Sequence, residues 1–214
     1  MTPWKAAQVG DHFDQIDTPA LILDLDAFER NIKNLQAATS SRGVRLRPHA
    51  KSHKCPEIAK YQIKVGAVGI CCQKVSEAAV FVDAGIKDIF ITNEVVGEKK
   101  VAHALDLAKR ARIGVLVDHD AQVSDLIQAS SQQQTPIDIY IEVDVGMGRC
   151  GATSIEQVAK LAHQIYQAPY LNFMGLQCYH GSAQHYRLPE ERQQTIEADL
   201  KSTRLNSSHL VISY

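Results

Sequence analysis

A lysine flanked by histidines is the first feature of the sequence that could carry chemistry. Residues 47–54 read Arg-Pro-His-Ala-Lys-Ser-His-Lys, with Lys51 near the centre. An amine presented into a pocket is suited to react with an aldehyde or ketone as a Schiff-base nucleophile. His49, His53 and Lys54 would add positive charge, which lowers the pKa of an amine and leaves more of it neutral. The alternative is a basic loop whose charges only face water.

A second group of polar residues lies later in the chain. Arg149 belongs to the glycine-flanked segment 146–151, in which the backbone can approach a ligand closely and the guanidinium can reach an anionic oxygen. Tyr179 and His180 follow an apolar run, and His185 lies five residues further on. Each residue also has an ordinary interpretation. Arg149 could be a partner in a structural ion pair, and the tyrosine and histidines could be rim residues whose hydrogen bonds are satisfied.

The residues around Lys51 predict a strand, a loop and a helix. A short strand over 44–46 runs into Pro48, whose missing N–H predicts that pairing ends there. Ser52 is placed to cap the helix that the pattern predicts over 55–65. Lys51 is therefore expected at the C-terminal end of a strand.

Composition restricts the class of protein. The chain has 214 residues, of which 45% are hydrophobic and 22% charged, and a formal net charge of −1. These values are typical of a soluble globular protein and argue against a nucleic-acid or anionic-membrane partner. The five cysteines form no CxxC pair, which favours reduced thiols and a cytoplasmic location. The neighbouring Cys71 and Cys72 are predicted to be small buried side chains.

The whole chain predicts a repeating strand-then-helix pattern. A strand over 20–25 and a helix over 27–39, capped by Asp26, come first. Short apolar strands then alternate with helices, and they form about six units, each of which is one strand followed by one helix. The predicted strands cover 44–46, 67–72, 88–92, 112–117, 137–143 and 171–178, and the helices cover 55–65, 75–84, 98–111, a stretch ending at 128, and 154–167.

Two architectures fit this alternation, a doubly wound open sheet and a (β/α)8 TIM-type barrel. Both place their sites at the C-terminal ends of the strands, where polar residues recur: Lys51, Gln73, Asn93, Asp118, His119, Arg149, Tyr179 and His180. The barrel is the predicted fold, because no strand–helix turn carries a GxGxxG or P-loop motif. The run 118–120 (Asp-His-Asp) could hold a metal, but a helix-start cap is the expected role, and no metal ligand is assigned.

The end of the sequence departs from the pattern. A complete barrel of this type has eight elements, and the alternation stops after about residue 194. Residues 201–214 lack helical periodicity and resemble the non-native tails found on incomplete fragments. We therefore expect residues 1–200 to form a partial barrel and 201–214 to be foreign to it.

Several segments together resemble the D-threonine aldolase and D-serine dehydratase family. These are alanine racemase-like, fold-type III enzymes that use pyridoxal 5'-phosphate (PLP). Residues 47–54 resemble the family's PLP-lysine motif, and 70–78 resembles its second strand and helix. Residues 141–151 and 175–181 resemble its fifth and sixth strand segments, and the similarity runs in order from Thr18 to about residue 195.

The resemblance implies cofactor-binding roles for five residues. Lys51 would form a Schiff base with PLP, and Arg149 would lie near the phenolic oxygen of the cofactor. Tyr179 would pack close to the cofactor, and His49 and Gln73 would line its ring.

The resemblance further implies a lyase reaction on a D-β-hydroxy amino acid, either retro-aldol cleavage or dehydration, with His185 as an acid–base group near the substrate. A divalent metal (Mn, Zn or similar) would handle the β-hydroxyl. The family's metal ligands lie in a C-terminal β-domain that this sequence lacks, so the fragment alone is expected to be inactive. The full-length parent is expected to be a homodimer. A non-catalytic PLP-binding protein involved in homeostasis and an amino-acid racemase of the same barrel fold remain alternatives.

Overall fold

The computed structural model describes residues 6–197, which divide into two compact units at Val44 and Arg45. The predicted foreign segment 201–214 lies outside the described residues. The N-terminal unit contains a 3₁₀ turn at Phe13–Gln15 and helix α1 at Leu25–Ser40.

Helix α1 begins two residues earlier than predicted. The side chain of Asp24 accepts a hydrogen bond from the N–H of Ala27 at 2.8 Å, so Asp24 is the N-cap and the prediction of Asp26 is wrong. The strand predicted over 20–25 is also wrong. Its last residue, Leu25, is helical, and residues 20–24 have no strand beside them in the described part of this unit.

The main unit, which begins at Arg45, alternates helices and strands. Its elements are α2 (Pro56–Val65), β1 (Ile70–Cys72), α3 (Val75–Asp83), β2 (Asp88–Glu94), α4 (Glu98–Ala108), β3 (Arg112–Val117), α5 (Asp120–Gln133), β4 (Ile137–Val143), α6 (Ile155–Gln167), β5 (Leu171–Cys178) and a 3₁₀ helix, Gly181–His185. The strands form one parallel sheet in the order β1-β2-β3-β4-β5. A doubly wound sheet reverses its strand order, whereas a barrel keeps the chain order. The order therefore confirms a partial (β/α) barrel.

Strands β3, β4 and β5 have the predicted bounds, whereas β1 begins three residues later than predicted, β2 ends two residues later, and helices α4 and α5 differ by more than one residue. Helix α4 ends early at Ala108, and α5 continues past residue 128 to Gln133. The polar end of α5 stays helical because Ala129 packs against the core and Ser130 is buried. No helix within residues 6–197 combines the length and apolar character that a membrane span requires.

Residues 46–50 occupy a sixth strand position beside β1. The Pro48 carbonyl accepts the N–H of Cys71 at 2.7 Å, and the N–H of Ala50 donates to the Cys71 carbonyl at 2.8 Å. The strand predicted over 44–46 is therefore displaced, and pairing does not end at Pro48. Proline lacks only the donor, and in this position its carbonyl is the paired group.

The sheet has two different faces. The outer face packs against the helices through fully buried side chains, among them Ile89, Ile91, Ile113, Ile139 and Ile141. Burial of each contributes roughly 1.5–3 kcal/mol. The inner face, which corresponds to the inside of a barrel, holds a separate apolar cluster of Cys71, Phe90, Leu116 and Tyr140.

The neighbouring cysteines of β1 point to opposite faces and are both buried. Cys72 belongs to the outer core and Cys71 to the inner cluster. Burial raises the pKa of Cys71 to about 11 and that of Cys72 to about 12, so both thiols stay protonated at neutral pH. The prediction of small buried side chains is confirmed.

Charged side chains link the N-terminal ends of the strands. Arg47 lies 2.7 Å from Asp88, and Arg112 lies 3.8 Å from Asp88 and 2.6 Å from Asp138. Asn172 donates to Asp138 at 3.0 Å. This row of alternating charges joins Arg47, which also lines the inner-face cavity, to β5.

Candidate active site

A cavity of about 460 Å³ opens on the inner face of the sheet. Its volume is typical of small-molecule sites, and it reaches the strand ends where barrels place their chemistry. Five of the six predicted site residues line it: His49, Lys51, Gln73, Arg149 and Tyr179. The fold thus brings together residues that lie far apart in the sequence.

A second depression, of about 560 Å³, shares Gln73 with this cavity. Its lysines, Lys74, Lys99 and Lys100, are exposed, so water solvates their charges. The 460 Å³ cavity is the candidate active site, because it contains Lys51 together with the other predicted residues.

Lys51 is exposed and follows directly after the residues paired with β1. A turn leads to Lys54, whose φ of 49° is left-handed, and α2 begins only at Pro56, with Cys55 as its N-cap. The predicted cap at Ser52 is therefore wrong. Proline favours the first position of a helix and holds the residue before it in an extended conformation.

The histidines beside Lys51 do not supply the positive charge that the sequence predicted. The Nδ1 of His49 accepts the N–H of Lys51 at 3.2 Å, and the Nδ1 of His53 accepts another backbone N–H at 3.1 Å. Burial lowers the pKa of both imidazoles, so both rings are neutral at pH 7. The ammonium of Lys54 lies 3.5 Å from Glu77, which offsets its charge.

Thr92 also lines the cavity and contacts His49. It lies on β2 where the pairing with β3 shifts register between Ile91 and Glu94, and such bulges re-aim side chains. Its Oγ1 is 3.1 Å from the Nε2 of His49 and donates to the Cys72 carbonyl at 3.3 Å. Nothing in the sequence signals Thr92, because a bulge depends on the neighbouring strand.

A tight loop after β4 holds Arg149. The Oδ1 of Asp144 accepts the N–H groups of Gly148 at 3.0 Å and Gly146 at 2.9 Å, and these bonds lower the pKa of Asp144. Both glycines have positive φ, which other residues rarely adopt. At Gly151 a β-carbon would collide with the Asp144 backbone. The glycines therefore serve the turn itself, and a close approach of this backbone to a ligand stays a prediction.

Arg149 and Tyr179 meet at the mouth of the cavity. The guanidinium carbon lies 5.2 Å from the centroid of the phenol ring, which is a cation–π geometry. Within the described residues Arg149 forms no ion pair with a carboxylate. Its donors therefore remain available for an anionic oxygen of a ligand.

Glu142 on β4 is a site residue that the sequence analysis missed. It is 3% exposed, and its Oε2 has no hydrogen-bond partner among the described residues. Burial, and next the negative charge of Glu94, raise the pKa of Glu142 to about 7. A buried carboxyl that titrates near neutrality in a cleft is typical of functional sites.

Two aromatic rings form an apolar floor for the cavity. The Phe90 and Tyr140 centroids lie 4.3 Å apart with 35° between the planes. Gly114 on β3 makes room for them, because a β-carbon there would lie 3.0 Å from the Tyr140 ring and 3.1 Å from the Phe90 ring. The polar alternation Asp138, Tyr140 and Glu142 is the sequence signal that could have identified this inner face.

His185, the sixth predicted site residue, does not line the cavity. It is the last residue of the 3₁₀ helix Gly181–His185. Its assignment as an acid–base group therefore stays a prediction that the cavity geometry does not support.

Three donor groups meet at neighbouring strand ends. Donor atoms of Glu94, Asp118 and Cys150 lie within 4.8 Å of one another. Burial, and next the negative charges of Glu94 and Asp118, raise the pKa of Cys150, and Asp118 accepts the Gly151 N–H at 2.9 Å. Because a thiol with a raised pKa is a poor metal ligand, we assign no metal ligand here. His119 is the N-cap of α5, which confirms the helix-start role expected for this loop.

Comparison with known proteins gives the same assignment at the level of family. Residues 23–210 match the family model for the alanine racemase N-terminal domain. A D-threonine aldolase from Arthrobacter sp. is 54% identical over 186 residues, which are 87% of this chain and 49% of that protein. A 3-hydroxy-D-aspartate aldolase from Paracoccus denitrificans (strain Pd 1222) is 42% identical over 186 residues, 86% of this chain and 48% of that protein.

Solved structures agree. The crystal structure of D-threonine aldolase from Filomicrobium marinum has a TM-score of 0.89 and 49% identity, and the alignment covers 91% of this chain and 53% of that one. A D-threo-3-hydroxyaspartate dehydratase from Delftia sp. HT23 has a TM-score of 0.83 and 27% identity, with 91% and 52% covered. The chain spans about half the length of the relatives it matches. The matched residues include every strand of the sheet and all five predicted residues that line the cavity, and the chain belongs to the alanine racemase N-terminal domain family.

Proposed function

We propose that the full-length protein carrying this sequence is a PLP-dependent lyase that acts on D-β-hydroxy amino acids through a Schiff base at Lys51. The single observation that carries this proposal is the shared cavity of Lys51, Arg149 and Tyr179. An amine, a guanidinium that forms no ion pair within residues 6–197 and an aromatic ring are groups that suit a planar, anionic aldehyde.

The cavity contains side chains of the types that suit the chemical groups of PLP. Lys51 offers the amine for its aldehyde, and Arg149 offers a cation for its phenolic oxygen. Phe90 and Tyr140 offer an apolar floor for a flat ring, and Glu142 offers a buried carboxyl whose Oε2 has no hydrogen-bond partner among the described residues. When bound, PLP withdraws the negative charge that develops at the substrate Cα.

The chain's own residues would bind, orient and exchange protons. In a retro-aldol cleavage the β-hydroxyl loses its proton, the Cα–Cβ bond breaks to release the aldehyde, and Cα then takes up a proton. In a dehydration the Cα proton moves to a base, which we assign to Lys51, and the hydroxyl leaves. Both reactions need a group that acts on the β-hydroxyl, and we propose that this group is a divalent metal held by a part of the parent that lies beyond this sequence.

The higher identity with D-threonine aldolase than with the dehydratase favours the aldolase reaction. Because the chain spans about half of its relatives, we propose that it binds PLP weakly by itself and turns over little substrate. We also propose that the parent is a cytoplasmic homodimer. The cytoplasm suits its five free thiols.

Substitution of Lys51 in an intact parent tests the proposal. We expect Lys51→Ala to lower metal-dependent cleavage of D-threonine to glycine and acetaldehyde by at least about 10³-fold, because a missing nucleophile cannot be replaced by its neighbours. Lys60→Ala, which removes an exposed lysine of α2, is the matched control. Full activity of the Lys51→Ala protein would show that the assigned role is wrong.

A further inference from the structure

The ring of His49 connects the backbone of Lys51 to strand β2. On one side its Nδ1 accepts the N–H of Lys51 at 3.2 Å. On the other side its Nε2 lies 3.1 Å from the Oγ1 of Thr92, whose hydroxyl donates to the Cys72 carbonyl at 3.3 Å. Three hydrogen bonds in series therefore connect the backbone N–H of Lys51 to the backbone carbonyl of Cys72 on β1.

The direction of each bond follows from the first one. A backbone N–H can only donate, so the Nδ1 of His49 must carry a lone pair and no proton. The neutral ring then carries its proton on Nε2 and donates it to the Thr92 oxygen. The Thr92 hydroxyl keeps its own proton for the Cys72 carbonyl, and every donor in the series has an acceptor.

The charged groups near His49 agree with a neutral ring. Burial is the main cause that lowers its pKa, and the positive charge of Lys51 lowers it further. Glu77 acts in the opposite direction, but its carboxylate lies 3.5 Å from the ammonium of Lys54. His53, whose own pKa is lowered by burial, also lowers that of His49.

We propose that Thr92 is a positioning residue for Lys51: its hydroxyl holds His49 as the neutral Nε2–H tautomer, and His49 in turn holds the backbone that presents Lys51 to the cavity. The part that concerns PLP rests on the proposed function, whereas the tautomer and the backbone contact do not. A half-buried threonine placed by a bulge thus acts on the lysine through an intervening ring.

The test compares Thr92→Val, which removes the hydroxyl, with Thr92→Ser, which keeps it. Nitrogen-15 NMR of the His49 ring reads the tautomer, and hydrogen exchange of the Lys51 amide reads the backbone contact. We expect a single Nε2–H tautomer and a protected amide in the wild-type and Thr92→Ser chains. In Thr92→Val we expect mixed tautomers and exchange about three- to tenfold faster, the effect of one lost hydrogen bond. Thr39→Val, a threonine of α1 that bonds only its own helix, is the control.

A second measurement separates this proposal from the proposed function. PLP is added to each chain, the product is reduced with borohydride, and labelling at Lys51 is quantified against PLP concentration. We expect Thr92→Val to need about three- to tenfold more PLP than the wild type, and Thr92→Ser to match the wild type.

Each outcome has one meaning. A protonated or Nδ1–H ring in the wild-type chain at pH 7 overturns the proposal without any variant, even if Thr92→Val fails to fold. An unchanged tautomer and amide in Thr92→Val overturn it as well. Equal labelling of wild type and Thr92→Val overturns the effect on Lys51. Absent labelling of the wild type overturns the assignment of Lys51 as the cofactor lysine in this chain, while the NMR result still decides whether Thr92 fixes His49.

Discussion

The guanidinium of Arg149 lies over the ring of Tyr179, with its central carbon 5.2 Å from the ring centroid. The two residues come from different loops, one after β4 and one after β5. Asp144 fixes the first loop through two backbone N–H groups. The contact therefore holds a cation at the mouth of the cavity, on the same side as Lys51.

This contact predicts different results for two tyrosine substitutions. Tyr179→Leu removes the ring face and is expected to weaken PLP binding by about two- to fivefold, because an exposed cation–π contact contributes about 0.5–1 kcal/mol. Tyr179→Phe keeps the ring face and is expected to bind as the wild type does. PLP titration followed by borohydride trapping measures both. Equal weakening by the two variants would instead assign the effect to the phenol hydroxyl.

Glu142 predicts a stability that falls as pH rises. Its pKa is raised to about 7 in the folded chain, above the value of about 4.3 expected for an unfolded chain. Between these two values the folded state binds more protons than the unfolded state, so the free energy of unfolding decreases with pH. We expect Glu142→Gln to remove this decrease, and to make the chain more stable than the wild type at pH 8 by roughly 1–3 kcal/mol.

Urea unfolding at pH 5 and pH 8 checks the role of Glu142. Glu190→Gln, which removes an exposed carboxylate, is the control. The pKa of Asp144 is lowered, so its contribution is lost only at more acidic pH and cancels between variants. If wild type and Glu142→Gln lose the same stability between pH 5 and 8, Glu142 is not the titrating group.

The close contact at Gly114 predicts a cost for adding one methyl group. A β-carbon at this position meets the rings of Tyr140 and Phe90 at 3.0 and 3.1 Å, and overpacking of this kind costs about 1–3 kcal/mol. We therefore expect Gly114→Ala to lower the free energy of unfolding by that amount. The same substitution in a Tyr140→Leu background is expected to cost less, because the nearer ring is gone. An equal cost in both backgrounds would assign the effect to the backbone of β3.

The sequence predicted the elements well where its periodicity was unambiguous. Strands β3, β4 and β5 have the predicted bounds because β3 and β4 are rich in β-branched residues, β5 is largely apolar, and turn signals flank all three. The strand over 20–25 failed for a physical reason. Its apolar run has the composition of a strand, but no described strand lies beside it in the N-terminal unit, and Asp24 caps a helix at that point.

The candidate site was predicted in part. Residues at strand ends, such as Lys51 and Arg149, were identifiable because parallel strands bring their C-terminal ends together. Glu142 was missed because strand β4 was interpreted as apolar nearly throughout, although Tyr140 and Glu142 line the cavity. The charge state of His49 was predicted wrongly, since it depends on burial, on the backbone of Lys51 and on Thr92, which is distant in sequence.

The most direct test of the role of Lys51 is chemical labelling of this 214-residue chain. The chain is mixed with PLP, reduced with borohydride, digested and analysed by mass spectrometry. We expect a reduced pyridoxyl group on Lys51 at PLP concentrations that leave the other lysines unlabelled, together with little or no cleavage of D-threonine. Labelling spread evenly over exposed lysines, or unchanged in total by Lys51→Ala, would contradict the assignment of Lys51 as the cofactor lysine.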